Sequence, residues 1–272
     1  MAQKSVGKVA PSGRAIRALA AAALAAAAVD AAAYLPPSGA ILKRVAQRRS
    51  DLALASIEVR GTATLPVEAA RRLGLPGAAT APGAEVSVPA LVAIKIPGRC
   101  RLELLPDGVA PAERPAVSQK AGRMAGHRGL ETVPAARALV EGLCTLLGEK
   151  LGGAAEPERP LAQALAARGV AVGEVGLGRL GGRIAWVIGG RPLEQRPQAW
   201  IDKQSFQPVR LVAPLAGAAS GATQDVRLLD FGSPVGGDQF PHALEVWVGP
   251  QLQLRFTAER VTPNPRIPDV VF

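Results

Sequence analysis

Hydrophobic and polar residues alternate with a period of two over much of the chain, the signature of strands with one buried and one wet face. From Ala55 to Leu65 the alternation is unbroken: Ala55, Ile57, Val59, Gly61, Ala63 and Leu65 share one side, and Ser56, Glu58, Arg60, Thr62 and Thr64 the other. A second segment runs from Val92 through Ile94, Ile96, Cys100, Leu102 and Leu104, with Lys95, Arg99, Arg101 and Glu103 opposite. Pro97 and Gly98 interrupt it without changing its parity and read as a bend or an edge position. From Val170 onward, short alternating runs separated by turn residues suit an antiparallel meander. Ile184, Trp186 and Ile188 make one run, Trp200 to Asp202 the next, then Val209 and Leu211, then Val226 and Leu228. Leu244, Val246 and Val248 turn at Gly249 and Pro250 into Leu252, Leu254, Phe256 and Ala258.

A helical period governs three other stretches. Ser38 can cap a short first helix in which Ile41, Leu42 and Val45 share a face while Lys43, Arg44, Arg48 and Arg49 point away. From Thr132, the residues Ala136, Val140, Leu143, Cys144, Leu147 and Leu151 form a single apolar stripe, and a shorter helix covers Pro160 to Arg168. Residues 66–85 read as an insertion with a helical turn around Val67 to Leu73. Residues 105–131, rich in Pro, Gly, Ala and charge, read as a loop beyond the usual limit of about 12–15 residues, hence a lid, a binding loop or a disordered stretch. One-sided burial over so many strands requires a cover. The pattern therefore predicts an α+β, mainly antiparallel β chain: one curved sheet of about eight to eleven strands, with the helix carrying Val140 to Leu151 across its concave side.

The N-terminus reads differently. Lys4, Lys8, Arg14 and Arg17 precede an uncharged run from Ala18 to Val29 and the small residues Ala31, Ala32 and Ala33, the layout of a cleavable secretory signal. The apolar run is shorter than the roughly 20 residues a spanning helix needs. The reading is thus a signal peptide over 1–33, a single domain over 34–272, and a periplasmic location.

The 272 residues are 48% hydrophobic, which excludes a disordered chain, and the net charge of +10 is spread along the sequence rather than gathered in runs. No basic run is interleaved with aromatics, so nucleic acid is not expected as a partner. His127 and His242 are the two histidines, and neither has a second ligand at metal spacing. Gly176, Gly178 and Gly181 satisfy G-x-G-x-x-G, but a strand rather than a helix follows, so they read as β-turn residues and not as a dinucleotide cradle. Asp225, Asp230 and Glu245 fit the wet faces of strands. The expectation is a non-enzyme without cofactor or metal. Cys100 lies on the apolar side of its strand and Cys144 on the apolar stripe of its helix, so packing helix on sheet would bring them together as a disulfide in an oxidising compartment.

These features together resemble a known family. The Ile57 to Thr64 strand, the segment "PGRCRLEL", the hairpin "AWIDKQSFQPVRL" and the ending "RFTAERVTPNPRIPDVVF" are similar to the LolA/LolB-like periplasmic carriers of outer-membrane lipoprotein sorting. Trp200, Ile201, Asp202, Pro208 and Arg210 carry the likeness in the hairpin, and Asn264, Ile267, Pro268, Asp269 and Phe272 at the end. The resemblance implies an unclosed, half-open β-barrel with helices over its concave face and an apolar cavity for acyl chains. It further implies a monomeric, non-catalytic carrier of lipoprotein acyl chains or lipids that meets inner- or outer-membrane proteins transiently. An arginine on an early strand holds the lid in such carriers, a role open here to Arg99 or Arg101. From the inward sides of the strands, the lining candidates are Ile57, Val59, Ile94, Ile96, Trp186, Leu228, Val246, Leu254 and Phe256. The alternatives are a closed core made by these same residues, or an envelope sensor or adaptor of this fold that binds a membrane protein.

Overall fold

The computed structural model describes residues 35–78, 84–215 and 223–272, so the export-signal reading over 1–33 lies outside the described residues. Twelve strands form a single antiparallel sheet, one more than the upper end of the range predicted from periodicity. Five come from the first half of the chain: β1 Ser56–Pro66, β2 Glu85–Lys95, β3 Arg99–Leu104, β4 Ala116–Lys120 and β5 Arg123–His127. Seven come from the second half: β6 Val175–Leu180, β7 Arg183–Ile188, β8 Gln198–Asp202, β9 Pro208–Pro214, β10 Thr223–Leu229, β11 Ala243–Val248 and β12 Gln251–Pro263. The order is β5-β4-β3-β2-β1-β12-β11-β10-β9-β8-β7-β6. The sheet is therefore two meanders joined where β1 pairs with β12, and it ends on the free edges β5 and β6.

This order dictates where the helices go. The chain leaves the sheet at one edge, β5, and must re-enter at the other, β6, so the intervening segment has to cross a face. It does so as α3 Pro134–Leu143, continued by a π-type turn Cys144–Gly148, and then α4 Arg159–Ala167. α3 touches β3 and β4 of one meander and β10, β11 and β12 of the other, so the sheet curls around it. Three bulges help the sheet bend: opposite Arg60/Gly61, between Val246 and Trp247, and between Trp200 and Ile201. Gly61 is obligatory at the first of these, because a Cβ there would lie 2.0 Å from the Thr257 carbonyl oxygen. α1 Ser38–Asp51 and the short α2 Val67–Arg72 complete the elements.

Several expectations are corrected. Pro97 and Gly98 are neither a bend nor an edge position: Ile96, Pro97 and Gly98 form the hairpin turn between β2 and β3, and Lys95 faces Arg99 across it. Segment 105–131 is no lid, since it supplies the hairpin β4–β5 that extends the sheet by two strands. Gly176 and Gly178 are strand residues of β6, where a Cβ on Gly178 would strike the Trp200 ring, and Gly181 alone of the three is in the turn. Ser38 is the first residue of α1 rather than its cap, a position taken by Pro37. The predicted helix from Thr132 to Leu151 is cut short because the π-type turn begins at Cys144.

The outer face is managed differently on the two meanders. On the second, side chains form a continuous ladder. The Arg210 guanidinium stacks on Trp200 at 4.6 Å and forks onto Asp225 at 2.7 and 2.9 Å. Arg227 shares Asp225 and stacks on Trp247 at 4.8 Å, and Trp247 donates to Glu245, which also receives Arg255. On the first meander, the C-terminal segment itself lies across β2, β3 and β4. Asn264 starts it by accepting from Ala55 N–H at 2.7 Å and donating to the Ala53 carbonyl at 3.2 Å.

Candidate functional site

Most of the nine candidate lining residues are packed into the core rather than bordering the cleft. Val59, Ile94, Leu228, Val246, Leu254 and Phe256 are at most 1% exposed and pack in one core with α3 and the Leu146 of its π-type turn. The helix can lie this deep because its sheet-facing positions are small. A Cβ on Gly142 would already be 3.0 Å from Val226, and Ala135, Ala136 and Ala138 are buried around it. Over this region the closed core describes the molecule. Trp186 is buried too, with Lys203 at 5.1 Å over its ring and its indole N–H without an acceptor.

Ile57 and Ile96 are different, since both border a cleft of about 280 Å³ at one end of the concave face. Its floor is apolar, from Leu52, Leu54, Ile57, Ile96, Leu147 and Leu151, and its rim polar, from Arg49, Lys150, Gln207, Asp238 and Gln239. Five segments meet there: the C-terminal end of α1, the β2–β3 turn, the chain following the π-type turn, and the β8–β9 and β10–β11 connections. The Cys100–Cys144 disulfide, with Cα atoms 5.7 Å apart as the facing of the two residues led one to expect, joins two of these walls. Gly98 N–H adds a 2.8 Å bond to the Gly148 carbonyl, and Gly148 sits so close to the bridge that a Cβ would be 3.1 Å from Cys100 Sγ.

Of the charged residues at this cleft, Arg49 is the one drawn in among its walls. The helical pattern set it pointing away from the core with Arg48, and the structure corrects this. Its Nη2 donates to the carbonyls of Leu147 at 2.8 Å and Glu149 at 2.6 Å, capping the π-type turn, while Nη1 is closed off from solvent with no acceptor among the described residues. Burial lowers its pKa to about 10, so it stays charged at neutral pH, and burial likewise raises the pKa of the nearby Glu149. Arg48 pairs with Asp238 on the rim. Sequence reasoning missed Arg49 because its position on the polar side of α1 says nothing about which loop folds over it. The only available signal was an arginine at the end of a helix, able to reach carbonyls beyond its own helix.

Arg99 and Arg101 do not border this cleft. They lie on the outer face, where Arg99 pairs with Asp269 at 3.3 Å and Arg101 donates to the Val271 carbonyl at 2.8 Å. Their parity fixes this: Cys100 between them points inward. Lys95 joins them, donating to Asp269 at 2.6 Å and to the Ile267 carbonyl at 2.7 Å. The Lys95 hydrogen bond is the main reason the Asp269 carboxyl is held below the usual carboxylate range. Asp202, singled out in the hairpin, organises the β8–β9 turn by accepting from Ser205 N–H, Ser205 Oγ and Gln204 N–H. Burial pushes its pKa up, but these bonds and Arg183 at 2.9 Å outweigh it, and the net shift is downward.

Other depressions are less suited to a ligand. One of about 80 Å³ adjoins Asp202 and Phe231, and a shallow one of about 380 Å³ is bordered by Glu174, Arg191, Glu194 and Arg196, whose carboxylates are already engaged by Arg196. Among the described residues no three His, Cys, Asp or Glu side chains are grouped to hold a metal ion, and no helix is long and apolar enough to cross a membrane. His127 donates to the Ala112 carbonyl at 2.7 Å, on the edge strand β5.

No protein-family model and no curated protein sequence matches the chain. Among solved structures it is similar to a LolA superfamily protein from Nitrosomonas europaea, at 12% identity and a TM-score of 0.43, over 88% of this chain and 98% of the other. A DUF1329 family protein from Desulfovibrio piger gives 8% identity and a TM-score of 0.42 over the same shares. An outer membrane lipoprotein-sorting protein domain from Vibrio parahaemolyticus gives 9% identity and a TM-score of 0.38, over 84% of this chain and 94% of that one.

Proposed function

We propose that the protein is an exported, non-catalytic binding protein of the cell envelope that takes an apolar chain, from a lipid or a lipoprotein, into the cleft bordered by Ile57 and Ile96. The observation that carries this reading is the cleft's make-up: six aliphatic side chains below a rim of Arg49, Lys150, Gln207, Asp238 and Gln239. An apolar floor with a few convergent polar groups is the ordinary form of a small-molecule site. The volume of about 280 Å³ is near the lower end of the usual range of roughly 300–1,000 Å³, which fits the end of one chain and not two chains side by side. The site offers no nucleophile or paired acid and base, so binding and release are the chemistry it can perform.

The test is displacement of a fluorescent fatty-acid probe from the purified protein, repeated with Ile96→Trp. Ile96 is half-buried at the cleft wall, so an indole there fills the space without entering the core. Saturable binding to the wild type that is lost in Ile96→Trp is the expected result. Absence of binding, together with absence of any co-purifying lipid by native mass spectrometry, would turn the reading toward an adaptor that binds a membrane protein.

A further inference from the structure

We propose that the cleft selects a single-chain amphiphile with an anionic head, a carboxylate or a phosphate monoester, which Lys150 meets from the rim and Arg49 meets by turning its guanidinium, exchanging one of its carbonyl bonds for the head group. This rests on the reading of the cleft as an apolar-chain site and adds the class of head group. Three observations carry it. The Arg49 fork is half used: Nη2 serves two carbonyls, whereas Nη1 is buried without an acceptor among the described residues. A buried donor left unpaired is costly, and an ionised oxygen is the partner that satisfies a guanidinium best. Second, the charges around it leave the place of that partner open. Arg48 is matched by Asp238, and Arg168 by Glu141 at 2.8 Å. The Glu149 carboxylate interacts with both Arg49 and Arg168 through space, and among the described residues no hydrogen bond joins it to either. Lys150 is exposed on the rim with no hydrogen bond or ion pair among the described residues. Third, Arg49 and Lys150 stand over the aliphatic floor, so a head group placed between them directs its first methylenes onto Leu147, Ile96 and Ile57. A neutral ester or a bare hydrocarbon would cover the same floor and leave Nη1 unpaired.

The experiment uses the neutral apolar dye N-phenyl-1-naphthylamine as reporter, so that the probe carries no charge of its own. Dodecanoate, dodecyl phosphate, methyl dodecanoate and inorganic phosphate are titrated separately, below micellar concentrations. The two anionic amphiphiles should displace the dye with midpoints about tenfold lower than the methyl ester, the worth of one charge-assisted hydrogen bond. Inorganic phosphate should displace none of it. Arg49→Gln should remove the preference of the anionic amphiphiles over the ester, and Lys150→Gln should narrow the gap about threefold. Because Arg49 also caps the π-type turn, Lys150→Gln carries the test by itself if Arg49→Gln does not fold. Equal midpoints for ester and dodecanoate, or an undiminished preference in Lys150→Gln, would overturn the anionic head and leave the apolar-chain reading standing. Displacement by inorganic phosphate would mark a plain anion site and overturn the amphiphile. No binding of the dye and of every competitor would overturn both.

Discussion

Beneath α3 the concave face is filled, whereas beyond its π-type turn the same face opens into a cleft, and the two regions are built from similar aliphatic residues. What separates them is the backbone above. Over the filled region, Gly142 and three buried alanines let the helix drop onto β10 and its neighbours until side chains interlock. Over the cleft, the regular helix has already ended at Leu143, and the chain beyond it is fixed by carbonyl bonds to Arg49 and tied to β3 by the disulfide. Hydrophobicity alone therefore does not distinguish a wall of a binding site from the interior of a core. The distance of closest approach allowed by the facing element does.

The largest test of this contrast is Phe256→Ala. At full burial in the filled region it should cost about 3–5 kcal/mol in urea denaturation, with the probe still bound by whatever protein remains folded. Next is removal of the disulfide by Cys100→Ala with Cys144→Ala. Equilibrium unfolding should register a loss of about 2–4 kcal/mol, and probe affinity should fall as well because the bridge ties two cleft walls together. The sharpest pair comes third. Val246→Trp should cost about 1–3 kcal/mol by overpacking, while Ile96→Trp should stay within about 0.5 kcal/mol of the wild type and yet abolish probe binding. If Val246→Trp instead blocked binding at unchanged stability, the filled region would have to be counted as cavity.

The smallest expected effect is on the outer face, well away from both regions. Asp269 has a carboxyl pKa held below its ordinary value by Lys95, so its contribution to fixing the C-terminal segment is fully present above about pH 4 and fades as pH falls through the depressed value. Hydrogen exchange at residues 265–271 should accelerate on that acid side, and Asp269→Asn should show the faster exchange already at neutral pH. Probe binding should not change in either case.

Much of the sheet was legible because parity survives local errors. The Val92 to Leu104 segment was read as one strand and is two, but a turn of three residues, Ile96 to Gly98, preserved the alternation, so every inward residue was still assigned inward. The same parity placed Cys100 and Cys144 face to face. The strands β4 and β5 were illegible for opposite physical reasons: β4 is buried on both faces, and β5 is an edge strand exposed on nearly all its positions, with Arg123, Gly126 and His127 in place of an apolar alternation. The cleft was legible only in part. Ile57 and Ile96 could be read from the pleat, but Arg49, Lys150 and Gln207 come from ends and turns whose position depends on how five separate segments converge. Arg99 and Arg101 had the opposite fate, since their own alternation already set them on the outer side and only the family resemblance moved them to a mouth.

The pairing of β1 with β12 at the centre of the sheet also has a kinetic side. Each meander is stitched from neighbours in sequence, and such hairpins form quickly. The seam between them joins residues 57–64 to residues 255–263, and loop closure over that length is slow and entropically expensive. The bulge that Gly61 accommodates lies on this seam, as does the backbone bond from Asn264 to Ser56. A nascent chain interrupted before Gln251 can thus possess all of β2 to β5 and β6 to β11 and still be two loose wings, without the surface on which α3 finally settles. The two wings are joined into one surface only through β12, so its pairing with β1 is the step on which the docking of α3 depends.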